Sequence, residues 1–178
     1  FTVAEKTIRF GLVAIKNVGE AAIQSILKTR EEKGPISSLT DFCRRVDLRL
    51  LNRRVIESLI KAGAFDSLGA RRAQFLVGLG QAMEDGQRHQ RDRQEGQASF
   101  FDMMNDAHSP PGAHSDAPLP TIAEWDADQL LAYEKEVLGL YLSGHPLARF
   151  RHLAESFGVS PIDELGLNQI DRDILSVL

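Results

Sequence analysis

The chain has 178 residues, 43% hydrophobic and 26% charged, with 14 Gly, 7 Pro and a single Cys. That balance excludes collagen-like, mucin-like and disulfide-stapled classes, and no run approaches the roughly 20 apolar residues that cross a bilayer, so no membrane partner is expected. The net charge of −4 argues against a nucleic-acid binder only until it is divided, because residues 1–90 hold 15 basic against 10 acidic side chains and residues 91–178 hold 6 against 15. The first half is suited to phosphate and the second is not. Cys43 stands alone and forms neither an internal disulfide nor a Cys-rich zinc site. Residue 1 is Phe rather than Met and no leader-like segment opens the chain. We therefore expect a piece of a longer cytoplasmic protein.

In chain order, Thr7–Val13 is the one stretch of the first half that reads as extended. Ala22, Ile23, Ile26 and Leu27 form an apolar helical stripe that stops at Gly34-Pro35. Leu39, Phe42, Cys43 and Val46 form a second, with Ser38 placed to cap its start. Leu51, Val55, Ile56, Leu59 and Ile60 give a third, and Phe75, Leu76, Leu79 and Met83 a fourth. Residues 87–96 are almost wholly polar and 105–121 are rich in Pro, Ser and Asp, the composition of a linker. Between them lies an apolar island, Phe100, Phe101, Met103 and Met104. Order returns at Trp125, with Asp126 as N-cap of a helix carrying Leu130, Leu131 and Leu138. Leu138–Leu147 is apolar and suited to packing, and Ile174–Leu178 reads as a strand cut short.

Two Gly-bearing turns carry the functional signal. Lys16-Asn17-Val18-Gly19 precedes a helix whose first amides and dipole suit a phosphate oxygen; Gly19 permits close approach and Lys16 adds charge. Lys61 to Gly69, with Gly63, Ala64 and Gly69, leads into a helix headed by Arg71 and Arg72. Positive charge at a helix N-terminus opposes the dipole and makes sense if an anion arrives there. Two such units imply a grip on neighbouring phosphates of one duplex. His145, Trp125 and Cys43 read as structural, Glu134 and Glu136 as solvated or paired, and His108 and His114 lack further metal ligands.

Paired helix–turn–helix units of this kind resemble the tandem helix-hairpin-helix domain. The stretches Ile8–Leu12, Lys16–Glu20, Leu39–Asp47, Asn52–Asp66 and Glu134–Leu147 resemble, in order, the alpha subunits of bacterial DNA polymerase III after their polymerase core. The resemblance implies an all-α fold: a tandem helix-hairpin-helix domain over 1–90, a flexible linker over 91–123, a helical connector over 124–155 and the start of an OB-type domain with a truncated β segment over 156–178. It also implies that Gln97-Ala98-Ser99-Phe100-Phe101 binds the sliding clamp, with Phe100 where the family more often has Leu or Met. The other implied partners are double-stranded DNA and further polymerase III holoenzyme subunits. The parent would be a DNA-directed DNA polymerase using Mg²⁺ in its palm; these 178 residues are expected to carry no catalytic site and no cofactor. An error-prone paralogue shares these motifs. The other readings are a helix-hairpin-helix repair enzyme using Asp41, and a purely protein-binding helical scaffold.

Overall fold

The computed structural model describes residues 2–4, 7–94 and 118–157. Residues 1–142 and 143–178 are two compact units. The first opens with β1 (Thr2–Ala4) and β2 (Thr7–Arg9), paired antiparallel with Thr2 opposite Arg9 and Val3 opposite Ile8. The extended stretch expected over 7–13 thus ends at Arg9, and Leu12–Ala14 is a 3₁₀ turn. Helices dominate the remainder: α1 (Glu20–Lys33), α2 (Leu39–Arg45), α3 (Arg53–Lys61), a 3₁₀ turn (Asp66–Leu68), α4 (Arg72–Gln94) and α5 (Ala127–Leu138).

The helices start where local chemistry supplies a cap. Ser38 Oγ accepts the Asp41 amide at 2.9 Å, Asn52 Oδ1 accepts the Val55 amide at 3.1 Å, and Asp126 Oδ1 accepts the Gln129 amide at 2.7 Å. Each satisfies one of the amides that a helix start leaves open. α1 stops at Gly34 and α5 at Gly139, both at positive φ.

The apolar stripes converge on one core, except that Leu27 of the first stripe is exposed. Phe42, Leu51, Ile56, Leu59, Ile60, Phe75 and Leu79 are each at most 2% exposed, and Phe65 bridges Phe42 and Phe75 at ring separations of 5.0 and 5.9 Å. Cys43 is fully buried there; burial, then the nearby Asp85 charge, pushes its thiol up to about 12, so it is inert at neutral pH. α2 and α4 pack closely because Gly86 has no side chain: a Cβ there would lie 2.5 Å from the Cys43 carbonyl oxygen.

Two boundaries differ from the sequence reading. α4 continues through Gln94, four residues into the stretch read as linker, because its polar end has structural partners. Gln90 Nε2 donates to the Cys43 and Val46 carbonyls at 3.1 and 2.7 Å, closing the end of α2, and Arg44 pairs with Asp85 at 2.6 Å. Likewise 118–123 is docked: Leu119 and Pro120 pack beside Gly78 of α4, and the Pro120 carbonyl accepts from Gln74 Nε2 at 2.9 Å. The sequence Leu138–Leu147 packs less than expected, with Tyr141, Leu142 and Leu147 exposed.

In the second unit, the described residues form a 3₁₀ turn (Ala148–Phe150) and α6 (Arg151–Ser156). His145 is structural, its Nδ1 accepting the Leu147 amide at 3.2 Å. The strand read at Ile174–Leu178, the OB-type start at 158–178, and His108 and His114 lie outside the described residues.

The close crossing gives a paired prediction. Gly86→Ala should destabilise by about 1–3 kcal/mol by overpacking against the α2 backbone. Gly80→Ala, whose Cβ would meet only the tip of Arg53 at 3.7 Å, should stabilise by roughly 0.5–1 kcal/mol through helix propensity. Thermal unfolding of the two variants measures both.

Candidate nucleic-acid interface

Ile15 and Val18 are buried and hold the first turn against the core, leaving Lys16, Asn17 and Gly19 on the surface. Asn17 takes a left-handed φ of 70°, which its short polar side chain tolerates. Its Nδ2 donates to Ser58 Oγ at 3.0 Å, and the Lys16 amide donates to the Val137 carbonyl of α5 at 2.8 Å. Gly19 is the N-cap of α1 with extended geometry (φ −81°), and no side chain caps this helix. The Ala22 amide already donates to the Gly19 carbonyl at 3.1 Å, which leaves the Glu20 and Ala21 amides as the ones a helix start cannot satisfy internally. A Cβ at Gly19 would touch nothing within 4 Å, so the space before those amides is open.

The equivalent of this turn is not the one headed by Gly63. Ile15 and Leu48, Val18 and Leu51, Ala22 and Val55, Ser25 and Ser58, and Ile26 and Leu59 are each thirty-three residues apart. All but Ser25 are buried. The same shift superimposes Lys16 on Arg49 and the N-cap Gly19 on the N-cap Asn52. The two units bond reciprocally. Asn17 before α1 reaches Ser58 in α3, and the Asp47 amide before α3 donates to Ser25 Oγ in α1 at 3.2 Å. Here α2, residues 46–52 and α3 make the second hairpin. Arg49 is exposed and forked onto Asp47 at 3.1 and 3.0 Å. That bonding holds the Asp47 carboxyl below its ordinary range. Arg53 pairs with Glu57, while Lys16 and Arg54 are exposed and form no ion pair among the described residues.

In the turn expected to be the second phosphate grip, Gly63 and Arg72 are engaged within the fold. Gly63 has φ 79°, and a Cβ there would fall on the Arg72 guanidinium and near the Asp66 carboxylate. Arg72 donates to Asp66 through Nε at 2.9 Å and Nη2 at 2.7 Å, and through Nη1 to Glu134 at 3.1 Å and the Lys61 carbonyl at 3.3 Å. Glu134 is completely buried. The anion that meets the start of α4 is Glu124, whose carboxylate accepts the Arg72 and Ala73 amides at 2.8 and 3.0 Å and the Trp125 amide at 3.0 Å. Burial alone would raise the Glu124 carboxyl, but those three amides and the Arg72 charge outweigh it and hold it below its ordinary range. Arg71 donates from Nη1 to the Ile122 carbonyl at 2.7 Å, and Ala64, Gly69 and Arg71 remain at the surface. The reason for the inward role of Gly63 and Arg72 is that α5 brings its own carboxylate to them.

Asp41 accepts from the Ser37 amide and hydroxyl at 2.9 and 3.0 Å and pairs with Arg45, which binds it into the start of α2. Gln97, Ala98, Ser99, Phe100 and Phe101 lie outside the described residues. No group of three or more His, Cys, Asp and Glu side chains that could hold a metal occurs among the described residues. No described helix is long and apolar enough to cross a membrane.

The helix-hairpin-helix motif family matches residues 1–75, the part of the chain that holds these two cross-bonded helical hairpins. Over most of its length the chain also aligns with DNA polymerase III alpha subunits. It is 43% identical over 169 residues to that of Saccharopolyspora erythraea (93% of this chain, 14% of the relative). The values are 40% over 158 residues for Neisseria meningitidis serogroup B (89% and 13%) and 37% over 171 for Haemophilus influenzae (95% and 14%). Over this span the chain is similar to the DNA polymerase III alpha subunits. It covers 12–14% of the length of the curated relatives it matches.

The internal anions make two predictions. Because Glu124 is held low in the folded chain, its contribution is complete above its ordinary 4.5 and is lost as pH falls through its lowered folded value. Glu124→Gln should therefore flatten the acid side of the Tm–pH profile below about 4.5. Glu134→Ala leaves Arg72 half-partnered in the interior and should cost about 3 kcal/mol in denaturant unfolding.

Proposed function

We propose that this chain is the helix-hairpin-helix portion of a DNA polymerase III alpha subunit, gripping duplex DNA by its backbone and tethering the polymerase to the sliding clamp during replication. What carries the reading is the uncapped start of α1 behind Gly19, with Lys16 beside it, facing outward from the same reciprocal pair as Arg49, Asn52 and Arg54. Backbone amides and mobile cations match phosphate oxygens and carry no base information, so the grip is independent of sequence. Within the first turn, Lys16 contributes charge, while Asn17 and Val18 fix the turn and Gly19 leaves room. At the second, Arg49 and Arg54 contribute charge; Arg71, with Ala64 and Gly69, extends the surface on the far side of α3.

In this reading, the parent is a DNA-directed DNA polymerase whose Mg²⁺-dependent transfer takes place outside these residues, in the cytoplasm and among other holoenzyme subunits. Gln97-Ala98-Ser99-Phe100-Phe101 begins three residues after α4 ends. A Gln for the rim and two phenylalanines for an apolar pocket suit a peptide that anchors on the clamp. Anchoring raises the effective concentration of polymerase at the template, which is the physical source of processivity.

Fluorescence anisotropy of a mixed-sequence duplex tests the grip. With about four phosphate contacts, affinity should fall about 10²-fold between about 50 and about 200 mM salt, regardless of sequence. The Gly19→Val side chain has room in the fold but stands before the α1 amides, so it should weaken duplex binding by about tenfold, roughly 1.4 kcal/mol, and leave clamp binding intact. Gln97→Ala with Phe101→Ala should do the reverse. Loss of both activities in both variants would refute the two-site reading.

A further inference from the structure

A cleft of about 590 Å³ opens where three helices end. It is lined by six cationic side chains: Lys33 closing α1, Arg44 and Arg45 closing α2, Arg49 from the turn into α3, and Arg91 and Arg93 near the end of α4. Asp47 is the one carboxylate lining it among the described residues. Basic side chains at helix C-termini have an ordinary explanation, since each terminus carries roughly half a negative charge.

The charges here exceed that need. Arg44, Arg45 and Arg49 are matched by Asp85, Asp41 and Asp47. Lys33, Arg91 and Arg93 form no ion pair among the described residues, and Glu32 beside Lys33 is paired with Lys28. Three unmatched cations against about −1.5 from three helix ends leave about +1.5. Lys33 responds to this field. Burial first, then Arg93 and Arg45, lower its ammonium from the usual value against the opposing pull of Glu32 and Asp41. Gln87 adds a neutral side-chain amide to the wall.

We infer that this cleft is an anion site for linked phosphates, supplied by a nucleic-acid strand as it leaves the second hairpin. Two of the three unmatched cations, Arg91 and Arg93, are arginines, whose planar forks grip tetrahedral oxyanions through paired hydrogen bonds. The volume exceeds that of a single phosphate and suits a ligand of several linked groups. Residues 46–49 are both the wall of the cleft and the turn of the second hairpin, so a strand held at Arg49 has a continuous cationic path toward Lys33 and Arg93. The strand as source rests on the duplex-grip reading; the site itself does not.

The test uses the whole 178-residue chain and a Lys33→Gln/Arg91→Gln/Arg93→Gln variant, whose three positions are exposed and leave the core untouched. Tripolyphosphate is titrated while NMR follows the side-chain amides of Gln87 and Gln90 and the backbone amides of 46–49. Wild type should show saturable shifts, and the triple variant should bind at least tenfold more weakly. In parallel, the salt slope for a duplex of about 24 base pairs should fall by about two to three in the variant, at about 0.9 per lost phosphate contact. A duplex too short to leave the hairpins should show no change. Unmoved amides, or a variant with unaltered affinity and slope, would overturn the site. Equal shifts with a hexaglutamate peptide would overturn its phosphate chemistry in favour of an acidic protein segment. Tripolyphosphate binding lost in the variant, from a wild type that binds no duplex, would uphold the site, give it a free polyphosphate as ligand and refute the hairpin grip.

Discussion

The guanidinium of Arg72 is 11% exposed as a side chain and sits between Asp66 and the fully buried Glu134. Removing such charges from water is unfavourable unless geometry is tight and the remaining donors are used. Here Arg72 also donates to the Lys61 carbonyl, and Glu134 accepts the Leu142 amide at 2.7 Å. This knot places α5 beside α3, where Lys61 pairs with Glu136 at 2.9 Å and lies over the Tyr133 ring at 4.5 Å. Placing α5 sets the Val137 carbonyl, and that carbonyl receives the Lys16 amide. The geometry of the first hairpin turn thus depends on an ion pair built by a turn some fifty residues later.

Around that scaffold the two hairpins are alike in core and unlike in surface. Their buried residues superimpose at a constant shift, and a serine from each helix serves the loop of the other. At the tips, however, Gly19 leaves α1 uncapped, whereas Asn52 turns its own carboxamide onto α3. The first tip offers amides and the second offers guanidinium groups. A backbone-directed grip accommodates both, because phosphate oxygens accept from either.

Much of this was legible from residue types. The stripes of α1 to α4 follow helical spacing, and Ser38 and Asp126 cap as their positions imply. Glycine marks two turns that play different structural parts. Gly63 is required by its left-handed φ and the adjoining guanidinium, while the second hairpin uses Asn52; the signal lay in the apolar register Leu48, Leu51, Val55, Leu59. Glu134 also left a trace, since it falls between Leu131 and Leu138 on the apolar face of its helix, where only a paired carboxylate is tolerable. Glu124 left none, because nothing local ties residue 124 to an amide at residue 72. The same gap in reach explains the boundary at 90, which polarity suggested and Gln90, by capping α2, overrode.

The docking of 118–142 by contacts rather than by chain neighbourhood separates two design problems that a continuous helix would have joined. α4 ends at Gln94, while Leu119 returns to the same helix beside Gly78, sixteen residues back, about 24 Å along its axis. Both margins of the intervening stretch are thus held to one helix, at points sixteen residues apart. α4 in effect serves as a ruler, its helical rise setting how far apart the two ends of that stretch are held.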